Sequence, residues 1–278
     1  MNNGLNYQQW KIQYGQFLET FSQKKVMMFF SGGKDSSVVL HFIQQASREY
    51  GFSFETHAGI YPQHVFTTAD RNKIDGYWNA RGVVINWHAV PESDDQLAAA
   101  LAEGVSPCLI CNTAKKKKLM EHFNDLAMDM NSLVIIMSYS LWDLVSATIE
   151  LILGASYSAA DTSPAIRSKS IEERFLETSQ RFYPMLKLSN GFSVFKPLIH
   201  FNDQDILGMI SREKIPILST ACRYKEYRPK RLFAQYYTRM NLIFDFDRVL
   251  DFAKTSLHLP EKNFFAQMEK DHYLKKII

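Results

Sequence analysis

The feature that most constrains the fold is a junction near the start of the chain. Lys25-Val-Met-Met-Phe-Phe30 is a continuous apolar run behind one lysine, and Ser31-Gly-Gly-Lys-Asp-Ser-Ser37 follows it directly. An apolar run without alternation predicts a strand buried on both faces. Paired glycines among serines mark a turn, and Val38 to Tyr50 has the spacing of a helix. Strand, glycine turn and helix are the unit from which parallel sheets are wound.

The rest of the chain repeats that alternation. Trp10, Tyr14, Phe17, Leu18 and Phe21 make one face of a helix before the first strand. Strands are expected over Phe52–Ile60, Val83–Val90, Leu133–Met137 and Phe192–Phe195. Helices are expected over Ala69–Arg81, Leu97–Leu101, Asn112–Asp129, Leu144–Leu153 and Asp203–Arg212, the last with Asn202 as N-cap. The pattern predicts a doubly wound, mostly parallel α/β sheet with right-handed crossovers and ligands at the C-terminal strand ends. We divide the chain into an N-terminal helix (1–24), a catalytic α/β domain (25–222) and a helical C-terminal extension (223–278). Within the domain, Gly154–Asn190 has the least pattern and reads as an insertion or lid.

Composition excludes little beyond the extremes. The 278 residues are 46% hydrophobic, with 32 Lys and Arg against 29 Asp and Glu, a net charge of +3. Disorder, collagen and coiled coil do not fit. No run of about 18 apolar residues predicts a membrane span, and no secretory signal is visible, so a cytoplasmic location is expected.

Chemistry first appears in the loop. Gly32 and Gly33 are expected to take positive φ and bring backbone N–H groups to an anion. The next helix N-terminus adds about half a positive charge. Lys34 supplies a point charge, and Ser31 and Ser36 supply hydroxyls. Asp35 reads as a metal ligand or a helix cap. The Gly-x-x-x-x-Gly-Lys spacing of a Walker A loop is absent. The loop resembles the SGGxDS signature of the PP-loop ATP pyrophosphatase superfamily. That resemblance implies a PP-loop, HUP-like fold (adenine nucleotide alpha hydrolase-like), and an enzyme that splits ATP between its α and β phosphates.

There are three cysteines: Cys108 and Cys111 as a C-x-x-C behind Pro107, and Cys222 alone. The pair by itself is compatible with zinc, an iron–sulfur cluster or a redox dithiol. A fourth zinc ligand would have to be His122 or His200, neither with helpful spacing. Three thiolates on a [4Fe–4S] cluster would leave one iron open to another ligand. The loop, the C-x-x-C leading into Lys115–Lys118, Phe195–Leu198, the 203–206 helix and Ile215-Pro-Ile217 before Cys222 together resemble the tRNA 2-thiocytidine synthetase group. The resemblance runs from about Lys25 to Met240. It implies that Cys108, Cys111 and Cys222 hold a [4Fe–4S] cluster whose free iron carries sulfur.

Two departures from that group fall where substrate is read. Met137-Ser-Tyr-Ser-Leu-Trp-Asp143 replaces a His-His-x-Asp-Asp run, leaving Asp143 as a candidate Mg²⁺ ligand, and Gly154–Asn190 replaces a shorter basic connection. Arg223, Lys225, Arg228, Lys230, Arg231 and Arg239, interleaved with tyrosines, suit RNA, ATP phosphates or solvent. His57, His64 and His88 fall near strand ends, as adenine contacts or as ordinary loop residues.

The expected activity is an ATP-dependent sulfurtransferase that adenylates a nucleobase carbonyl and exchanges its oxygen for sulfur. Catalysis is assigned to Lys34, Asp35 and Cys222. The near-neutral charge favours a free nucleobase or nucleotide substrate of the thioguanine type, with tRNA 2-thiolation the alternative. A PP-loop ligase that adds ammonia would leave the cysteines without a role. Sulfide or a cysteine desulfurase would donate the sulfur, ATP and Mg²⁺ are the other requirements, and a homodimer is compatible with the resemblance.

Overall fold

A computed structural model describes residues 4–125, 132–157, 170–189, 191–269 and 272–274. The strands are β1 (Lys25–Phe29), β2 (Phe54–Ile60), β3 (Ile85–Ala89), β4 (Leu133–Ile136), β5 (Met185–Lys187) and β6 (Ser193–Phe195), in the sheet order β3-β2-β1-β4-β6-β5. β1 pairs with β2, β2 with β3, and β4 with β6 in parallel, while β5 runs antiparallel to β6. The sheet is mostly parallel, as expected. Among the described residues, no helix is long and apolar enough to cross a membrane.

The chain divides into two compact units, Met1–Asp129 with Ile206–Arg228, and Met130–Asp205 with Pro229–Ile278. The first carries β1–β3 and the helices α1 (Tyr7–Leu18), α2 (Lys34–Tyr50), α3 (Thr68–Asn79), α4 (Asp94–Ala102), α5 (Pro107–Asp125) and α8 (Asp203–Glu213), the last from Ile206 onward. Asn6 caps α1 by accepting from Gln9 N–H, so the helix begins at Tyr7, three residues before the apolar stripe. Trp10 is fully buried and stacks on Phe42 of α2 at 5.1 Å.

Two helix starts differ from expectation in ways that matter. α2 begins at Lys34, because Gly33 is extended and serves as its N-cap. Lys34 and Asp35 therefore sit in the first helical turn. α5 begins at Pro107, since proline fits the first helical position and lacks only an N–H that has no partner there. The Ser106 carbonyl accepts from Leu109 N–H at 3.0 Å. Cys108 and Cys111 thus lie within the helix rather than in a loop before it.

The second unit carries β4–β6, α6 (Leu141–Tyr157), α7 (Ile171–Ser179), α9 (Pro229–Arg239), α10 (Phe246–Ser256) and α11 (Lys262–Ala266). All four side chains of β4 are fully buried, which is worth about 1.5–3 kcal/mol each over exposure. The segment Gly154–Asn190 has its own structure outside the undescribed stretch. Ser170 and Glu173 form a capping box that starts α7, and β5 adds an edge strand. Lys196 is fully buried, with its ammonium donating to the carbonyls of Gln180 and Tyr183 at 2.9 and 2.8 Å. Burial and the nearby Arg181 hold its pKa well below the usual lysine range.

Candidate functional site

The loop after β1 is closed by its own serines. Ser31 N–H donates to Ser36 Oγ at 3.2 Å, Gly33 N–H to Ser31 Oγ at 3.3 Å, and Ser36 Oγ to the Gly33 carbonyl at 3.0 Å. Ser36 is 1% exposed, so its hydroxyl shapes the loop from inside. Gly33, as N-cap, places no side-chain oxygen at the start of α2, which leaves that positive helix end to an anion. Lys34 Nζ lies 2.7 Å from Asp35 Oδ1, both partly buried.

Only one of the two glycines takes the left-handed conformation. Gly32 has φ of 71°, whereas Gly33 is extended with φ of −83° and ψ of 170°. The expectation of positive φ at Gly33 is corrected: the backbone turns once, at Gly32, and Gly33 starts the helix. A Cβ on Gly32 would stand 2.6 Å from the Leu218 side chain. Leu218 N–H also donates to the Gly32 carbonyl at 2.8 Å. The segment that ends in Cys222 is therefore laid directly on the Ser31–Ser36 loop.

That segment is pinned by residues with no motif to announce them. Asp70, on α3, accepts from Ser219 Oγ at 2.6 Å, Thr220 Oγ1 at 3.0 Å and Ser219 N–H at 3.3 Å. The hydrogen bond from Ser219, aided by those from Thr220 and Thr67, holds the Asp70 carboxyl down at about 2. Beyond Cys222, Arg223 N–H donates to His64 Nε2 at 3.0 Å, and His64 Nδ1 lies 2.6 Å from Asp94 Oδ2. His64 Nε2 accepts, so its Nδ1–H donates to Asp94. Burial pushes Asp94 up, but bonds from the His64 backbone and ring and from Gln63 N–H bring it below the usual range. His64 is thus a positioning residue for the Cys222 turn.

The three thiols belong to the same unit, and none is in a disulfide. Cys108 Sγ lies 3.8 Å from the Tyr224 carbonyl, two residues past Cys222. Cys111 is buried among Tyr61, Val90, Leu97 and Ala114, with Tyr224 packed against them. Burial pushes its thiol up and Lys115 beside it opposes that; Cys222 is near enough to act on it electrostatically. The three sulfurs do not all lie within 4.8 Å of one another, as a group ready for one ion would. Three soft sulfur donors, with Lys115 and Arg228 near Cys111, are of the kind that holds an anionic iron–sulfur cluster.

Beside Ser31, a cavity of about 160 Å³ opens at the C-terminal ends of β1 and β2, with Phe30, Ala58, Gly59, Phe66 and Lys115 in its wall. This is where open α/β sheets take ligands. Asp143 belongs to the second unit, in the first turn of α6. Its Oδ2 accepts from Ser140 N–H and Oγ, both at 3.0 Å, and its Oδ1 pairs with Lys230. A Mg²⁺ ion on Asp143 would have to displace that ammonium.

Comparison with known structures agrees with this architecture. The chain resembles the U34-tRNA thiolase of Methanococcus maripaludis with its [4Fe–4S] cluster, with a TM-score of 0.53 and 14% identity over 84% of this chain and 74% of that one. An NH₃-dependent NAD synthetase from Campylobacter jejuni and an NMN synthetase from Francisella tularensis each match over 99% of this chain and 98% of their own. Their identities are 12% and 14%, and both TM-scores are 0.45. No protein-family model and no curated protein matches the sequence. The likeness to the thiolase shows the fold alone, a mostly parallel α/β fold.

Proposed function

We propose that this protein is an ATP-dependent sulfurtransferase that adenylates a nucleobase carbonyl oxygen and exchanges that oxygen for sulfur. The observation that carries the reading is the Leu218–Cys222 segment. One end is hydrogen-bonded to Gly32 of the phosphate loop, and the other bears the third thiol. Four residues span at most about 14 Å, so Cys222 stands within a substrate's length of the loop.

The chain's own residues divide the work. The N-terminus of α2, the Gly32 turn and Lys34 bind the β and γ phosphates and take the charge that develops on pyrophosphate. The base carbonyl oxygen attacks the α-phosphorus, and the bond to pyrophosphate breaks. A sulfide equivalent then adds to the activated carbon, the C–O bond breaks, AMP leaves and a proton is lost to give the thiocarbonyl. Asp35 is a candidate ligand for the Mg²⁺ that accompanies ATP; Asp143, in the other unit, is a separate candidate. Cys108, Cys111 and Cys222 would hold a [4Fe–4S] cluster, which when bound supplies an iron with no protein ligand as a site for sulfur.

The substrate we favour is a free nucleobase or nucleotide, because the net charge is only +3. The tRNA reading has one observation behind it: Arg223 and Arg228, both exposed, flank the Cys222 turn. Anaerobic reconstitution with ATP, Mg²⁺ and sulfide, offering purines and tRNA side by side, decides between them. We expect a sulfur-for-oxygen mass change in a free base. The same change in tRNA, with salt-sensitive binding, would reverse the substrate assignment, and no exchange in either would overturn the activity.

A further inference from the structure

Three histidines from distant parts of the sequence meet within the first unit. His57 is on β2, His88 on the neighbouring β3 and His122 near the end of α5. His57 Nδ1 lies 2.9 Å from His88 Nε2. The His122 ring is centred 4.7 Å from that of His57 and 4.6 Å from that of His88. One ring nitrogen of each lies within 4.8 Å of the other two. Among the described residues, no other trio of His, Cys, Asp or Glu side chains is so close.

Two details distinguish this trio from rings that merely pack together. His57 Nε2 lies 3.2 Å from Glu55 Oε2, and Glu55 is also paired with Lys25. The carboxylate keeps the proton on Nε2 and turns the bare Nδ1 towards the other rings, the arrangement by which carboxylates orient metal-binding histidines. Secondly, His122 Nε2 is buried with no hydrogen-bond partner among the described residues, a condition that costs stability unless something satisfies it. Burial lowers the pKa of His57 to about 4, Glu55 opposing and the two other imidazoles adding to the effect. Burial likewise lowers His88, helped by His122 and Lys118.

We propose that one ring nitrogen each of His57, His88 and His122 binds one divalent transition-metal ion of the zinc type, with a further coordination position open to the cavity beside Ser31. Imidazole-only donors suit zinc, cobalt or nickel and are a poor match for Mg²⁺ or Ca²⁺, which take oxygen. Three protein ligands and one open position make a reactive rather than a purely structural centre. All three rings line the cavity wall together with Ser31, Lys115 and Lys118, so the open position faces a space where two cations favour an anionic ligand. This ion shares no ligand with the three thiols.

Co²⁺ is the probe that separates the two sets. It is titrated, without turnover, into metal-free wild type, into the Cys108→Ser/Cys111→Ser/Cys222→Ser variant, and into His88→Gln, His122→Gln and Glu55→Gln. The triple cysteine variant should bind one Co²⁺ per chain with ligand-field absorption and no sulfur-to-cobalt charge transfer. His88→Gln and His122→Gln should weaken that binding at least tenfold, and Glu55→Gln by roughly 10–100-fold. Circular dichroism checks folding, and the half-buried His122→Gln decides the matter if His88→Gln does not fold. Binding that survives both histidine changes, or that vanishes with the cysteines, would overturn the proposal.

Discussion

The Ser31–Ser36 loop and the thiol region lie in the same unit but are built in opposite ways. The loop is made by consecutive residues: Ser31, Gly33 and Ser36 bond to one another and Gly32 supplies the turn. The thiol region is assembled from α5, from the 218–224 segment, and from Asp70, His64 and Asp94, which hold that segment in place. A locally built site survives damage elsewhere, whereas a site held by tertiary ties fails when any tie is cut. The Leu218–Gly32 contact is where the two meet.

The sharpest way to separate them is Cys222→Ala, which should abolish sulfur transfer while ATP affinity changes by less than about twofold. Product mass and nucleotide titration check both halves. Gly32→Ala should act on ATP binding itself. A left-handed conformation costs a non-glycine residue about 1–2 kcal/mol, before the 2.6 Å clash with Leu218 is relieved. ATP should therefore bind at least about tenfold more weakly, since each 1.4 kcal/mol is tenfold; calorimetry measures it. Unchanged ATP affinity would mean that Gly32 is not the turn on which the loop depends.

Asp70→Asn should strain the junction itself. Hydrogen bonds to a charged acceptor are worth about 1.5–3 kcal/mol. The variant should melt several degrees lower and lose more thiolation than ATP binding. The smallest effect is in pH. The Asp70 carboxyl titrates at about 2 when folded, against an ordinary 3.8, so its contribution is complete above pH 4 and disappears as pH falls towards 2. Wild type should lose stability over that window, and Asp70→Asn should lose less; equal losses by acid unfolding would remove Asp70 from the account.

What was legible in the sequence follows the same division. The Lys25–Phe30 run, the glycine turn and the alternation of strands and helices could be read directly, because periodicity and turn chemistry are local. Gly33 was misread because two adjacent glycines look alike until one becomes a helix cap. The start of α5 lies five residues before the expected Asn112, because Pro107 fits the first helical position and the helix runs on through Cys108 and Cys111. The ties from Asp70 to Ser219 and Thr220 cross about 150 positions, and the meeting of His57, His88 and His122 depends on strand register. Neither leaves a motif. Asp70 stands three residues after Thr67, the N-cap of α3, and bonds it as well.

The central claim is that the phosphate loop and the three thiols serve one reaction. Its most direct test is to follow AMP and thiolated product together, in wild type and Cys222→Ala, with sulfide or ammonia as the second substrate. The account predicts that wild type forms both products with sulfide, and that Cys222→Ala binds ATP but forms no thiolated product. Thiolation at the wild-type rate by Cys222→Ala, or AMP formation that ammonia supports as well as sulfide does, would contradict it.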